Sequence, residues 1–588
     1  MFHALKSHRR LVVCACLLSV GLLVFHGLTG TPEGNSYKYN LPWFDAFFSA
    51  FWQGDLYPRF SPELWYSMGA LDFYFYGPLP FWMGSTLGAA SCPGCDTATV
   101  FSLTGAWIVI LSGISFFAFA RRFFETRWAG FGAIAYTILP YHYIADWYDR
   151  QAVGELTAYI FIPLIALGAT KLIEDRKGGV LFALSVAGLA FSHLPSTLIV
   201  GHLMAAIVIW AVVQLERFMD RVEMLARFAV WGGLGIALSA IYWVPALGLL
   251  GTVSPDMLAT DYYDATRWLL LDGLPEITPE TSNFVKACLA LIVAVTVISG
   301  LILKQVKAPN ALWLWIIGPS LFAFFCMTVF SYPIWKFWIL NKVQFPWRTL
   351  IVGELSLALG SIVVARYVVQ NWTGAQRLRA QVFAIVSIGL LATAYLVQAP
   401  RTLQTLEDSA VRAGTFEPVG TPEYVPPRTL ELALTRFRAV ANDSHTSEER
   451  FYLFFDEMER SAEIAKRAFQ DDAPGATLTA HPHDRLTLTA TLTEAADIRL
   501  PIAAWPYWRA ETSDGRMLIL GEDEALGLVT IHLPAGASEV DVYLATTPPE
   551  RLGSLLSTLA LILLIGGALL RQILLNSRPE KPLATSLR

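Results

Sequence analysis

The sequence predicts an all-α polytopic membrane protein of about twelve transmembrane helices, with a β-rich extracytoplasmic module near the C-terminus. Three observations predict it. Of the 588 residues, 54% are hydrophobic and only 15% are charged, whereas a soluble domain carries about 25% charged residues. The apolar residues fall in runs separated by short charged clusters, and about 20 apolar residues in a helix span the hydrocarbon core. One long polar stretch, 399–551, breaks the pattern, and its second half alternates apolar with β-branched polar residues.

The predicted spans are 11–28, 98–119, 128–141, 156–172, 179–193, 197–214, 228–250, 284–303, 311–330, 349–366, 381–398 and 552–570. The first follows Lys6, Arg9 and Arg10 and resembles a signal peptide in its flanks. It is long for such a core and lacks a clean small-x-small cleavage site, so it reads as an uncleaved span. With the N-terminus placed in the cytoplasm, alternate junctions carry the basic clusters Arg121-Arg122 with Arg127, Lys171 with Arg176-Lys177, Arg217 with Arg221 and Arg227, and Lys304 with Lys307. Arg366, Arg377 and Arg379, then Arg571, Arg578 and Lys581, complete the series. All fall on one side, as the bias of Lys and Arg toward cytoplasmic loops requires. Both termini are then cytoplasmic.

That alternation decides how to read 77–95. Counted as a span, this stretch would invert every later loop. It is expected instead to lie in the outer interface, with Phe73, Tyr74, Phe75, Tyr76, Phe81 and Trp82 at headgroup depth. The domains expected are a transmembrane domain, 1–398, with a first outer loop at 29–97; an extracytoplasmic β-rich domain, 399–551; and a last span with its tail, 552–588. Strand character is clearest at 476–480 and 486–493, followed by turns at Ser513-Asp514-Gly515 and Pro534-Ala535-Gly536. Of six cysteines, Cys14, Cys16, Cys288 and Cys326 lie in apolar runs and read as packing residues. Cys92 and Cys95 form Cys-Pro-Gly-Cys in an outer loop, where an oxidising compartment favours a local disulfide. A lone CxxC is too few ligands for structural zinc, and no βαβ context supports a thioredoxin-like role.

Ionisable residues at outer helix ends are the informative set, since charge near lipid is costly unless it is paired or functional. Asp45 sits in the aromatic run Trp43-Phe44-Asp45-Ala46-Phe47-Phe48. It reads as a general base, or as a helix cap or ion-pair partner of Lys38 or Arg59. Asp55 and Arg59 follow in Gly54-Asp55-Leu56-Tyr57-Pro58-Arg59. A second cluster runs from Tyr141-His142 through Asp146, Asp149 and Arg150 to Glu155. Here Arg150 either bridges to Glu155 or grips an anionic head group, because a guanidinium fork matches phosphate oxygens. His193, in Ser192-His193-Leu194-Pro195, is a structural hydrogen-bonder or a site residue. Gln344-Phe345-Pro346-Trp347-Arg348 is an interfacial Trp/Arg anchor or a second phosphate grip.

These segments carry a resemblance. Leu56-Tyr57-Pro58-Arg59-Phe60-Ser61-Pro62, Met68-Gly69 and Phe75-Tyr76-Gly77-Pro78-Leu79-Pro80 resemble the first outer loop of bacterial membrane proteins catalogued as "6-pyruvoyl-tetrahydropterin synthase related". Arg150-x-x-x-x-Glu155 is similar to that group's Arg-Gly-Ala-Leu-Ala-Glu element, with Gln151 at the usual Gly. Ser192-His193-Leu194-Pro195 and Gln344-Phe345-Pro346-Trp347-Arg348 match two more elements, the last being the most specific. Trp505-Pro506-Tyr507-Trp508, Asp514-Gly515, Leu533-Pro534-Ala535-Gly536 and Gly553 resemble the end of YfhO-type proteins. Both groups resemble the GT-C superfamily of membrane glycosyltransferases, and the matches cover most of the chain.

The resemblance implies a GT-C-like fold in a bacterial plasma membrane and a polyprenyl-phosphate-linked sugar donor. It also implies an envelope glycan or lipid acceptor, inversion at the sugar carbon, and an acidic residue in the first outer loop, here Asp45. Relatives often carry a His a few residues later, where this chain has Phe47, Phe48 and Ser49. Arg150 and Arg348, with Arg59 a weaker candidate, would hold the lipid phosphate; Glu155, His193, Gln344 and Trp347 would support them. Asp55 is the reserve base. No cofactor is required; a divalent cation, if one takes part, has Asp55 as its candidate ligand. Membrane lipids are expected partners and nucleic acid is not. The competing readings are a lipid or polysaccharide transporter and a non-catalytic scaffold. A transporter needs polar residues deep in the spans, and Glu354 is the nearest exception in nearly charge-free segments.

Overall fold

The computed structural model describes residues 2–32, 34–255, 264–270, 279–371, 374, 424–441 and 447–576. Seven helices are long and apolar enough to cross a membrane: Thr97–Ala120, Val153–Glu174, Leu194–Val213, Asn283–Gln305, Asn310–Met327, Pro346–Asn371 and Pro548–Gly567. An eighth candidate is the pair Phe218–Leu238 and Ala240–Gly248, bent by 73°. The shorter apolar helices Ala15–Thr29 and Gly179–Ser192 occupy two more predicted positions. Every predicted span holds a helix except 381–398, which lies outside the described residues.

The predicted spans differ from the helices in three ways, the first being that Gly179–Ser192 has only 14 residues. The 128–141 position holds a helix of 12 residues, Thr126–Thr137, which then passes into a π-helix, Pro140–Asp149. Twelve residues rise only about 18 Å, well short of a bilayer core of about 30 Å. The 228–250 position is broken at Ser239, so that Ala240–Gly248 turns across the helix ends.

The alternation of basic loops has a direct structural counterpart. Arg122 pairs with Glu174 at 2.7 Å and Asp175 at 3.1 Å. Arg176 reaches Asp220 at 3.7 Å and Glu223 at 3.1 Å, and Arg227 reaches Glu223 at 3.3 Å. Three loops predicted on one side thus meet at one end of the helices. The first loop, the π-helix, His193 and Arg348 gather at the other end.

There the first loop folds back into the protein. Ser36 N–H donates to Arg150 O at 3.0 Å and Asn35 N–H to Asp149 O at 2.8 Å. The helix Tyr37–Trp52 follows. Residues 79–91 are a short helical stretch with a π turn at Gly84–Gly88, too short to cross a membrane. The interfacial reading of its aromatics is corrected. Phe73, Tyr74, Phe75 and Phe81 are buried inside the protein, and Tyr76 and Trp82 are half-buried. Phe73 and Phe81 pack on Phe47 at 5.0 and 5.5 Å, and Trp82 meets Phe191 at 5.6 Å. Large aromatic area has more to gain in this core than at a headgroup layer that already tolerates it. Cys92 and Cys95 are joined as a disulfide, and Cys288 and Cys326 are buried, but Cys16 is exposed on the apolar N-terminal helix rather than packed.

The C-terminal module begins with two helices, Pro427–Val440 and Ser447–Asp472. Leu430, Ala433, Met458 and Ala462 share a buried cluster with Trp65 and Tyr66 of the first loop. Eight antiparallel strands follow: β1 Thr477–His481, β2 Arg485–Leu492, β3 Ala496–Ala503, β4 Trp508–Thr512, β5 Met517–Leu518, β6 Leu520–Glu522, β7 Leu528–Leu533 and β8 Gly536–Leu544. They form a five-stranded sheet, β1-β2-β8-β4-β5, and a three-stranded sheet, β3-β7-β6. Leu486, Leu488 and Ala490 of β2, Ile498 and Leu500 of β3 and Val540 and Val542 of β8 fill one core, and the exposed residues between them give the period of two seen in the sequence.

Gly77 shows how closely the first loop is seated. A Cβ there would lie 2.3 Å from Ser192 O and 2.6 Å from Phe191 O, both backbone atoms. Gly77→Ala should therefore destabilise the protein by about 1–3 kcal/mol, read as a lowered Tm of the detergent-solubilised full-length chain. An unchanged Tm would show that the loop does not dock here.

Candidate active site

Two arginines from distant segments meet on one carboxylate. Arg150 ends the π-helix, and Glu155 lies in the first turn of Val153–Glu174. Arg348 stands in the 3-10 turn Pro346–Thr349 that opens the next helix. Arg150 Nη2 donates to Glu155 Oε2 at 3.0 Å, and Arg348 Nε lies 3.3 Å from the same oxygen. The latter contact has ion-pair distance without hydrogen-bond alignment. Tyr141 donates its hydroxyl to Glu155 Oε1 at 2.8 Å, and Arg150 Nη1 reaches Tyr141 Oη and Asp146 Oδ1, both at 2.7 Å. The Arg150–Glu155 bridge of the sequence reading is therefore present, and Arg348 joins it.

Burial holds the Asp146 carboxyl well above the ordinary carboxylate range, and the Glu155 charge pushes the same way. Glu155, fully buried, is the carboxylate that the two guanidinium groups share. Arg348 Nη1 is spent on Val343 O at 2.9 Å and Gln344 Oε1 at 3.3 Å. Its Nη2 donates to no described residue, and the Arg150 and Arg348 side chains keep 18% and 13% of their surface exposed.

Glu354, which sequence reading treated only as an exception, sets the register of this cluster. Its Oε1 accepts Tyr141 N–H and its Oε2 accepts His142 N–H, both at 2.9 Å; Tyr159 donates its hydroxyl to Oε2 at 2.8 Å. The carboxylate thus caps the N-terminal turn of the π-helix whose end carries Arg150. Arg348 lies on the same segment as Glu354, so one helix places both arginines. π-Helical turns of this kind often mark functional sites.

Gln151 stands where the resembled element carries Gly, and its φ is 50°. The left-handed backbone explains the usual Gly. Here Gln151 Nε2 donates to Thr31 Oγ1 at 2.7 Å and Pro32 O at 2.8 Å, and Asn40 Nδ2 donates to Gln151 O. Those bonds offset the strain and tie the first loop to Arg150. Tyr76 comes from the same loop: its ring meets Trp43 at 4.7 Å, and its hydroxyl lies beside Gly154 and His193. Burial raises the Tyr76 phenol to about 12. Only its place in a tight aromatic motif hinted at this position.

The other predicted residues fall in three settings. His193 caps the helix Leu194–Val213: its Nδ1 accepts Ser196 N–H at 3.3 Å and lies 2.8 Å from Ser196 Oγ. Trp347 is buried against Phe345 at 4.5 Å and Trp268 at 5.2 Å, a packing role. Asp45 lies mid-helix in Tyr37–Trp52, half-buried, and its Oδ1 accepts the Thr97 hydroxyl at 2.7 Å. It is not a helix cap, and among the described residues no ion pair or hydrogen bond joins it to Lys38, Arg59, Arg150 or Arg348. Its charge adds to burial in raising the Glu63 carboxyl.

Asp55 and Arg59 belong to a separate cavity of about 360 Å³, lined also by Tyr57, Tyr74, Ile241, His483, Asp484, Thr546 and Glu550. Arg59 donates to Phe73 O at 3.3 Å and Ile241 O at 2.9 Å, lies 3.9 Å from Glu550 and stacks on Tyr57 at 3.6 Å. Asp55 accepts Tyr57 N–H and His483 N–H, both at 3.2 Å. Asp484 accepts Phe60 N–H at 2.9 Å and Arg59 N–H at 3.3 Å. This cavity is the joint between first loop, β-module and last span. Among the described residues no group of three or more His, Cys, Asp or Glu is placed to hold a metal ion.

No family model matches the chain. It is 23% identical over 242 residues to an uncharacterized protein of Lactococcus lactis subsp. cremoris strain MG1363, covering 40% of this chain and 39% of that protein. Among solved structures, it is similar to an Archaeoglobus fulgidus oligosaccharyltransferase in the apo form, with TM-score 0.39 and 14% identity over 76% of this chain and 59% of that one. It is also similar to ArnT from Cupriavidus metallidurans bound to undecaprenyl phosphate, with TM-score 0.29 and 11% identity over 62% of this chain and 81% of that one. The apo ArnT structure gives TM-score 0.30 and 12% identity.

Two outcomes follow from the charges. Replacing Glu155 by Gln leaves two half-buried guanidinium groups without their common, fully buried anion, and should cost about 3 kcal/mol of stability, read as a fall in Tm. At the joint, burial first and the Asp55 charge second raise Asp484 to about 7, against the Phe60 N–H bond. An acid whose folded pKa is raised stabilises the fold fully below its unfolded value near 3.8 and loses that contribution as pH rises through about 7. The Tm of the wild type should therefore fall between about pH 4 and 7, and Asp484→Asn should flatten that slope. An equal slope in both proteins would assign it to another group.

Proposed function

We propose that this chain is a membrane glycosyltransferase that moves a sugar from a polyprenyl-phosphate donor to an extracytoplasmic envelope glycan or lipid, with inversion. The observation that carries the reading is Arg348 Nη2, which donates to no described residue, beside Arg150, at the ends of apolar helices and under the first loop. A guanidinium pair held by one shared carboxylate suits a lipid-borne phosphate, because forked N–H donors match phosphate oxygens and act strongly away from water. The motif resemblance of Arg150–Glu155 and Gln344–Arg348 supports the same assignment.

In this reading Asp45 is the general base. Its Oδ1 is engaged by Thr97, and its Oδ2 accepts no hydrogen bond from a described residue. Asp45 takes the proton of an acceptor hydroxyl, whose oxygen bonds to the anomeric carbon from the face opposite the phosphate. The bond from that carbon to the phosphate oxygen breaks, and the polyprenyl phosphate leaves with its added charge held by Arg150 and Arg348. The β-module holds the acceptor. A transporter is disfavoured because Glu354 is fully engaged by Tyr141, His142 and Tyr159. A scaffold is favoured by one observation, the internal neutralisation of Arg150 by Glu155.

The test is transfer of labelled sugar from polyprenyl-phosphate donors to membrane acceptors by the purified full-length protein in vesicles. Asp45→Asn should lower transfer by about 100-fold or more while donor binding persists, and Arg348→Gln should weaken donor binding. Transfer unchanged in Asp45→Asn would remove the base. No transfer from any donor would leave the scaffold reading.

A further inference from the structure

The connector between Asn310–Met327 and Pro346–Asn371 is a chain of short helical turns with one buried and one exposed face. It forms a 3-10 turn, Val329–Ser331, a short helix, Tyr332–Phe337, and a second 3-10 turn, Ile339–Val343. Trp338 donates its indole N–H to His202 Nε2 at 2.8 Å. His202 lies eight residues into the helix that starts at Leu194, beside the arginine cluster. At the helical rise that is about 12 Å below the helix end. His202 Nδ1 donates to Leu198 O at 2.7 Å, which leaves Nε2 free to accept. The connector therefore descends alongside a span and returns to the level of Arg348, which donates to Val343 O.

The two faces of this descent differ in chemistry. Trp335, Leu340 and Val343 are buried, and the Trp335 indole donates to Cys326 O at 2.7 Å and Ser331 Oγ at 3.0 Å. On the other face Phe330, Phe337, Trp338 and Ile339 are 67%, 79%, 58% and 52% exposed. They continue the exposed apolar flank of the adjoining span at Leu321, Phe324 and Phe325. Lys336 and Lys342 flank the tip, both exposed and, among the described residues, in no ion pair; the charge of Lys336 does reach Asp264, which Arg267 also faces.

We propose that Val329–Val343 is a re-entrant wedge lodged in the lipid leaflet on the first-loop side, with Phe337, Trp338 and Ile339 among acyl chains and Lys336 and Lys342 reaching up to anionic phospholipid headgroups. Apolar side chains at the depth of His202 gain from leaving water, and lysine stems can run along apolar surface while the ammonium returns to the headgroup layer. Irregular backbone at membrane depth is tolerated where its inner side is buried in protein, as it is here through Trp335, Leu340 and Val343. The proposal does not depend on the glycosyltransferase reading.

The test places a nitroxide on Phe337→Cys in full-length protein whose free cysteines are replaced, with Ile519→Cys on the β-module as the aqueous control, after reconstitution into phosphatidylcholine vesicles. The label at 337 should collide with oxygen in preference to a water-soluble nickel complex, at a depth of about 5–10 Å below the headgroup boundary; at 519 the order should reverse. Adding phosphatidylglycerol should slow the label at 337, and the Lys336→Gln, Lys342→Gln double variant should lose that response. Should the cysteine-replaced protein fail to fold, quenching by brominated lipids serves instead: Trp338→Phe should remove a quenchable component present in the wild type. A label at 337 as open to the nickel complex as that at 519, or quenching equal in wild type and Trp338→Phe, would overturn the wedge. An equal response to both lipid mixtures would overturn the anionic headgroup partner.

Discussion

The carboxylate of Glu155, shared by Arg150, Arg348 and the Tyr141 hydroxyl, is the contact on which the helix ends depend. Tyr141 and Arg150 come from the π-helix and its end, Arg348 from the 3-10 turn Pro346–Thr349, and Glu155 itself from the start of Val153–Glu174. None of these segments is long, and none could bury its charge alone, because an unpaired ion at this depth would carry a desolvation cost of several kcal/mol. Meeting on one carboxylate settles all three at once. Glu354 adds the second constraint, since its hydrogen bonds to Tyr141 and His142 fix where the π-helix begins.

The first loop is built onto that cluster. Gly34 approaches Gln151 closely, Asn40 bonds to Gln151 O, and Gly77 lies against the Ser192 carbonyl. Small residues and backbone bonds bring the loop within contact of the helix ends, and the aromatics then close it into a core. This explains why Phe73 and Phe81 are fully buried rather than interfacial. The same loop continues to Arg59, where backbone acceptors and Glu550 hold the guanidinium, and where Asp484 at the β1–β2 turn docks the module. Arg59 thus works as a joint between loop, module and last helix.

The end of the helices that carries the first loop has two polar centres. One is the arginine pair under the first loop, with Tyr76 alongside and an Arg348 Nη2 that donates to no described residue. The other is the cavity at the module joint. Asp45 stands apart from both in its direct contacts, held by Thr97. A donor phosphate and an acceptor hydroxyl together would have to bridge that gap, which is why binding and transfer are separable readouts for Asp45 and Arg348.

The sequence by itself determined the helical membrane architecture, the common end at which three of the basic loops gather, and the first two strands of the module. Each follows from local composition: apolar runs, lysine and arginine clusters and period-two alternation act over a few residues. It also placed Asp45, Arg150, His193 and Arg348 in one set, because all four fall near helix ends of the same parity, although Asp45 is held by Thr97 and not by the arginines. Only the tertiary structure decided how they pair, that Glu354 governs them, that Asp55 and Arg59 belong to a different cavity from Arg150, and that 329–343 turns down beside His202. Those outcomes depend on contacts between residues up to several hundred positions apart, such as Asp55 with His483, and no local period encodes a partner at that distance.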